Sequence, residues 1–83
     1  MHSLTFAERR VYCLVRRQAI RRVPIGPTTH LRKDLNLDAV DRVLLGISLE
    51  QRLRIDIPDT QLGQWRTVAD VLACVSRCQK VHP

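Results

Sequence analysis

The chain has 83 residues, a net charge of +6 and an apolar fraction of 45%. This length allows one small domain and not two, the apolar content argues against a disordered chain, and no run approaches the ~20 apolar residues that span a bilayer. We therefore expect a single domain over residues 1–83, with its core at about residues 4–76. Because Met1–Leu4 does not look like the start of a signal peptide, the expected address is cytoplasmic.

The positive charge is concentrated near the N-terminus. Eight of the fourteen cations lie in the first 33 residues, where Glu8 is the sole acid. Such a patch suits nucleic acid, an anionic membrane surface or an acidic protein, and it is equally compatible with a solvated helix face. Its members on the first predicted helix are Arg9, Arg10, Arg16, Arg17, Arg21 and Arg22.

The first predicted helix starts at Thr5, with Glu8 at the spacing of a capping box. Its apolar residues follow a 3.6-residue period, and we expect its end near Arg22, because Pro24, Gly26 and Pro27 follow. Residues 23–37 then form a long loop. Four apolar residues are spaced along it as anchors to a core: Ile25, Leu31, Leu35 and Leu37.

The second predicted helix starts at Asp38 as N-cap, with Asp41 at N3, and runs to about Leu53. A helix that is apolar on two sides is either deeply buried or presents one side to another molecule. Its first stripe contains Leu45, Leu49 and Leu53, and its second contains Val40, Val43, Leu44 and Ile47.

Two shorter helices complete the prediction. Pro58 and Asp59 open a third helix at about residues 60–64, and Thr67 caps a fourth helix with Asp70 at N3. We expect the only tryptophan, Trp65, to pack between them. The inner face of the fourth helix comprises Val68, Val71, Leu72 and Val75. The chain is therefore predicted to be all-α.

The sequence does not predict a metal site. Cys74, Cys78 and His82 are spaced i, i+4, i+8, but this is not one of the common zinc patterns. Together with Cys13, the cysteines are odd in number, which disfavours a disulfide framework. We expect reduced and mostly buried thiols.

Three segments in register resemble the acyl carrier protein family. Residues 34–41, Asp-Leu-Asn-Leu-Asp-Ala-Val-Asp, are similar to the signature Asp-Leu-Gly-x-Asp-Ser-Leu-Asp. Residues 53–59 resemble the x-Ile-Pro-Asp turn after the second helix, and residues 65–68 the apolar-x-Thr-Val step into the last helix. The resemblance implies a small four-helix acyl-carrier-like bundle with a long loop between helices one and two.

The resemblance also implies a cofactor, because the family carries acyl groups on a phosphopantetheine arm joined to a serine at the start of the second helix. Ala39 occupies that position here. Ser48 is an unsuitable replacement, since only ten positions separate it from Pro58, whereas Ala39 is nineteen positions away. We therefore predict that the chain as written carries no cofactor.

The origin of Ala39 stays open at this point. The alanine is either natural, or an engineered Ser-to-Ala change in a genuine acyl or polyketide carrier. The family is usually acidic, whereas three arginines offset three acids along this second helix, which favours natural divergence. The arginines are Arg42, Arg52 and Arg54, and the acids are Asp38, Asp41 and Glu50.

The resemblance implies a carrier-like module rather than an enzyme, docking a protein partner such as an acyl-transfer or synthase enzyme. The alternative is that the apolar residues pack against the proline-rich loop. A small nucleic-acid-binding domain is disfavoured, because only three aromatic residues are available for stacking. The expected partner-recognition residues are Asp38, Val40, Asp41, Arg42, Leu44 and Ile47.

Overall fold

The computed structural model describes residues 5–19 and 23–79. These residues form four helices, α1 (Phe6–Gln18), α2 (Ala39–Leu53), α3 (Asp59–Leu62) and α4 (Val68–Gln79). Helix α1 packs against α2 and α4, and α2 also contacts α3. The predicted all-α bundle, with its long loop between the first two helices, is confirmed. None of the described helices has the length and apolar content needed to cross a membrane.

Helix α1 begins with the predicted capping box. The backbone N–H of Glu8 donates to Thr5 Oγ1 at 3.1 Å, and the N–H of Thr5 donates to Glu8 Oε1 at 2.9 Å. Two of the four N–H groups without a helical partner are thereby satisfied.

The predicted end of α1 near Arg22 was wrong. The helix ends at Gln18, and Ala19 is already extended, with ψ of 130°. Gln18 Nε2 donates to the carbonyl oxygen of Asp41 at 2.7 Å, so the last turn of α1 is tied to the first turn of α2. Pro24 therefore sets only an outer limit for the helix, because a tertiary contact fixes its last turn earlier. Residues 20–22 lie outside the described part of the chain.

The first half of the long loop completes the N-terminus of α4. Gly26 and Thr29 form a turn, in which the N–H of Gly26 donates to Thr29 Oγ1 at 2.8 Å. The N–H of Val68 donates to the carbonyl of Thr29 at 3.0 Å, and that of Ala69 to the carbonyl of Pro27 at 2.9 Å. Backbone donors that α4 cannot use internally are therefore bound by the loop.

The second half of the loop is a single closed turn. His30 Nδ1 accepts from the N–H of Arg32 at 3.2 Å and of Lys33 at 3.1 Å. In return, the N–H of His30 donates to Asp34 Oδ2 at 2.7 Å. A histidine thus serves here as a local cap, which is a structural role for its ring.

Asn36 ends this turn in the left-handed conformation, with φ of 58°. Its N–H donates to the carbonyl of Arg32, and the N–H of Leu37 donates to that of Leu31, both at 2.9 Å. The bond from Asn36 to Arg32 is that of the αL motif, which commonly ends helices at glycine or asparagine. Asparagine tolerates this conformation, so it can replace the glycine of the signature.

The core lies between the helices and this loop. Three of the predicted loop anchors, Leu31, Leu35 and Leu37, are at most 1% exposed, and Ile25 is partly buried against the core. Trp65 is 2% exposed and packs in the same cluster. The other buried apolar residues are Ala7, Val11, Leu14, Val15, Leu45, Leu49, Ile55, Ile57, Val68, Val71, Cys74, Val75 and Cys78.

The cysteines are free thiols in two environments. Cys74 and Cys78 are buried, whereas Cys13 is exposed. Cys74 Sγ donates to Gln61 Oε1 at 2.8 Å, and burial raises the pKa of the Cys78 thiol. Among residues 5–19 and 23–79, no three metal-ligating side chains converge, and His82 lies outside these residues.

Helix α3 occupies Asp59–Leu62 rather than the predicted residues 60–64. After Leu62 the chain continues in turns whose hydrogen bonds join residues three positions apart. One example is the bond from the N–H of Gln64 to the carbonyl of Gln61, at 3.0 Å. Gly46 of α2 allows α3 to approach closely, because a Cβ at this position would lie 2.5 Å from Leu62 Cδ2. The missing side chain thus makes room for Leu62.

Candidate functional site on helix α2

Ala39 is the first residue of α2, and its side chain is exposed. The preceding residue, Asp38, is the N-cap of a capping box. Asp38 Oδ1 accepts from the N–H of Asp41 at 2.9 Å, and Asp41 Oδ2 accepts from the N–H of Asp38 at 3.1 Å. The backbone hydrogen bond from Asp41 holds the pKa of the Asp38 carboxyl below its ordinary value of 3.8. The first turn of α2 is therefore well formed, with a methyl group at position 39.

Ser48 lies on a different side of α2 from Ala39. The nine positions between them correspond to two and a half turns at 3.6 residues per turn, which places the two side chains on opposite sides. Ser48 is half-buried in the middle of the helix, away from its N-terminus. Its hydroxyl thus lacks the helix-end setting of position 39.

The two apolar stripes of α2 have different environments. Leu45 and Leu49 are fully buried, and Leu53 is partly buried against the core. The second stripe remains in contact with solvent, at 65% exposure for Val40, 45% for Val43, 50% for Leu44 and 43% for Ile47. We call these four residues the α2 strip. Such a cluster of large apolar side chains is a common mark of an interaction site.

A groove of about 330 Å³ lies on the α3 side of the strip. We call it the α3 groove. Val43 of the strip forms part of its wall, so the groove and the strip are continuous. Its lining residues are Ala39, Arg42, Val43, Asp59, Leu62 and Gly63.

A second groove, of about 300 Å³, lies on the α1 side of the strip. We call it the α1 groove. Leu44 of the strip forms part of its wall, and two arginines and a serine also line it. None of the described residues that line it is acidic. Its lining residues are Leu14, Arg17, Gln18, Leu44, Ser48, Gln51 and Arg52.

The residues predicted for partner recognition lie along the outer side of α2 and its first turn. Asp38 is exposed and Asp41 half-buried, and both carboxylates serve the capping box. Arg42 is half-buried beside the α3 groove. Sequence reasoning missed that Arg17 and Arg52 line the same groove, because two residues on different helices leave no local pattern.

The described part of the basic patch lies on the outer side of α1. Arg9, Arg16 and Arg17 are exposed. The guanidinium carbon of Arg10 lies 5.2 Å from the centre of the Phe6 ring, within cation–π distance. Arg21 and Arg22 lie outside the described residues.

Comparison with protein families gives one match that spans most of the chain. The family model described as the phosphopantetheine attachment site matches residues 10–75. The matched stretch includes α2, α3, both grooves and position 39.

Individual relatives are acyl carrier proteins. That of Helicobacter hepaticus is 37% identical over 51 residues, which cover 61% of this chain and 67% of the relative. That of Thermosynechococcus vestitus is 39% identical over 48 residues, covering 58% of this chain and 59% of the relative. The meromycolate extension acyl carrier protein of Mycobacterium tuberculosis is 30% identical over 59 residues, 71% of this chain and 51% of the relative. The chain thus spans between about half and two thirds of their lengths.

Proposed function

The chain belongs to the acyl carrier protein family, and we propose that it serves there as a docking module without a phosphopantetheine arm. Members of this family are carriers and not enzymes. The observation that supports the proposal is the alanine at position 39, the first residue of α2, where the family signature has its serine.

The chemistry of attachment makes this residue decisive. A serine oxygen attacks the phosphorus of coenzyme A, gives up its proton and becomes part of a phosphodiester, while adenosine 3′,5′-bisphosphate leaves. The methyl group of Ala39 has no lone pair for the attack and no atom to complete the ester. Ser48 has a hydroxyl, but it lies on the opposite side of α2 from Ala39.

The α2 strip supports the docking role. Four large apolar side chains on one helix remain 43–65% exposed, while Leu45 and Leu49 of the same helix are fully buried. Covering apolar surface with a partner releases roughly 25 cal/mol per Å². The proposed occupant is a protein, such as an acyl-transfer or synthase enzyme or a regulatory partner.

Mass spectrometry tests the missing attachment. The chain and its Ala39→Ser variant are incubated with a broad-specificity phosphopantetheinyl transferase and coenzyme A, and intact masses are measured. We expect one phosphopantetheine group on the variant and none on the chain. Labelling of the chain itself would overturn the proposal. A variant that folds but stays unlabelled would show that the transferase no longer recognises the scaffold.

The rate of the same reaction tests docking on the α2 strip. Adding Ile47→Ser to the Ala39→Ser variant should lower kcat/KM of labelling, because the transferase must contact the helix that carries the serine. Ala73→Ser on the exposed side of α4 is the matched control and should leave the rate unchanged. Equal rates for both variants would contradict docking by the strip.

A second candidate is a genuine carrier silenced by one Ser-to-Ala change. The α3 groove favours it, since this mostly apolar space of about 330 Å³ adjoins position 39. Under this alternative, labelled Ala39→Ser should accept acyl groups from an acyl transferase as readily as a conventional carrier protein does. Efficient labelling without acyl acceptance would favour the docking module.

A further inference from the structure

Building on the proposed docking function, we propose that the partner presents an acidic surface, one carboxylate of which enters the α1 groove between Arg17 and Arg52. The proposal extends the docking surface from the α2 strip onto α1. It specifies the charge of the partner, which the exposed apolar residues by themselves do not.

The acids of α2 are occupied within the chain. Asp38 and Asp41 accept hydrogen bonds from each other's backbone N–H groups in the capping box. Glu50 Oε2 accepts from the N–H of Ile57 at 2.9 Å. All three carboxylates are therefore held by backbone donors at the ends of the helix.

The arginines of the α1 groove are free to bind a ligand. Within residues 5–19 and 23–79, no hydrogen bond or ion pair holds the guanidinium group of Arg17 or Arg52. Both side chains are exposed, and both line the same space of about 300 Å³. Guanidinium groups bind carboxylates through paired hydrogen bonds, and Ser48 adds a hydroxyl donor at the groove.

The groove and the strip form one continuous surface through Leu44, which belongs to both. A partner that covers Leu44 with an apolar side chain would place a neighbouring residue over the groove. An amphipathic acidic segment fits this surface, because apolar contacts supply affinity and charge complementarity supplies specificity.

Other occupants fit less well. In a symmetric dimer whose two-fold axis passes through the groove, the groove would face its own copy, bringing arginine against arginine. An anionic membrane or nucleic acid is charged throughout. It would meet the exposed side chains of Asp38, the N-cap of α2, and of Asp34, which lies five residues before the helix. An acidic protein segment can be local enough to avoid them.

NMR titration of the ¹⁵N-labelled chain tests this inference. The probe is a synthetic amphipathic helical peptide with leucine and glutamate on one face, and its control has glutamine in place of each glutamate. We expect amide shifts at both the α2 strip and the α1 groove with the acidic peptide. The glutamine peptide should bind about tenfold more weakly, equivalent to about 1.4 kcal/mol, and added salt should reduce this difference.

Matched variants separate the groove from bulk charge. Arg17→Gln with Arg52→Gln should weaken binding of the acidic peptide about tenfold. Arg9→Gln with Arg77→Gln removes the same charge from exposed positions outside the groove and should change it much less. Equal weakening by both pairs would overturn the inference, because non-specific attraction would explain it.

The outcomes distinguish this inference from the docking function. Equal binding of both peptides on the α2 strip would leave docking intact and overturn the acidic partner. If neither peptide shifts any amide of the strip or the groove, both proposals lose their support. Phosphatidylglycerol vesicles and a DNA duplex are run in parallel, and stronger shifts of the groove residues by either would overturn the choice of a protein.

Discussion

The inner and outer sides of α2 carry the same types of apolar residue, but those on the inner side are buried and those on the outer side are exposed. Leu45 and Leu49 point inward and are fully buried, whereas Leu44, next to Leu45 in the chain, is 50% exposed. Burial of a leucine contributes about 1.5–3 kcal/mol to folding, so the inner side stabilises the bundle. The outer side contributes little to folding, and its apolar area is available for another molecule. Hydrophobicity alone therefore does not distinguish a core residue from a contact residue on this helix.

The largest expected effect tests this difference directly. Leu49→Ala should lower the free energy of unfolding by about 2–5 kcal/mol, because it leaves a cavity in the core. Leu44→Ala removes the same atoms from an exposed site and should change the free energy of unfolding by no more than about 0.5 kcal/mol. Urea unfolding measures both. A similar loss for the two variants would mean that the outer side is covered in solution.

The next effect concerns the turn that leads into α2. Asn36→Ala should lower the free energy of unfolding by about 1 kcal/mol, since alanine is strained at the φ of 58° that asparagine adopts here. Asn36→Gly should be neutral or stabilising, because glycine adopts this conformation without strain. Thermal unfolding of both variants tests whether position 36 matters through its backbone, and equal destabilisation by both would contradict that explanation.

A substitution at the C-terminal end of α2 should have a smaller effect, and it should stabilise the protein. Arg54 is left-handed, with φ of 54°, and its N–H donates to the carbonyl of Glu50. Arg54→Gly should raise the free energy of unfolding by about 0.5–1 kcal/mol by relieving the backbone. Arg52→Gly, within helical geometry, should lower it by a similar amount. Destabilisation by Arg54→Gly would indicate that the arginine side chain makes a stabilising contact.

The smallest effect is a dependence on pH. Backbone hydrogen bonds lower the pKa of Asp38 and, through the N–H groups of Thr67 and Arg66, that of Asp70. Both folded pKa values lie below the ordinary 3.8, so their stabilisation is present above pH 3.8 and is lost as the pH falls through the folded values. Unfolding midpoints should therefore decline in this acidic range. Asp38→Asn with Asp70→Asn should flatten the decline, and an unchanged slope would contradict this cause.

Local signals in the sequence predicted the starts of α1, α2 and α4. The capping boxes at Thr5, Asp38 and Thr67 each involve residues three positions apart, so their geometry is local. The end of α1 was mispredicted because a contact between Gln18 and the distant Asp41 fixes its last turn. The predicted bounds of the short α3 were displaced, because its tight turns depend on the packing of Leu62 against Gly46 of α2.

The candidate site likewise has one part that the sequence predicted and one part that it did not. The register of the family signature predicts position 39 as the attachment position, from its distance to Pro58 in the sequence, and this assignment stays a prediction. The α1 groove could not be predicted, since the whole loop and most of α2 separate Arg17 from Arg52 in the sequence. Their role in binding the partner stays a proposal, as does that of the α2 strip.

The sequence by itself determined the helical class, the starts of α1, α2 and α4, and the lack of a hydroxyl group at Ala39, because each depends on covalent identity or on residues a few positions apart. The tertiary structure decided which apolar stripe of α2 is buried and which is exposed. Both stripes have helical spacing, and only the packing of α1, α3 and the other core residues against one side of α2 distinguishes them. Tertiary packing also brought Arg17 and Arg52 to the same groove.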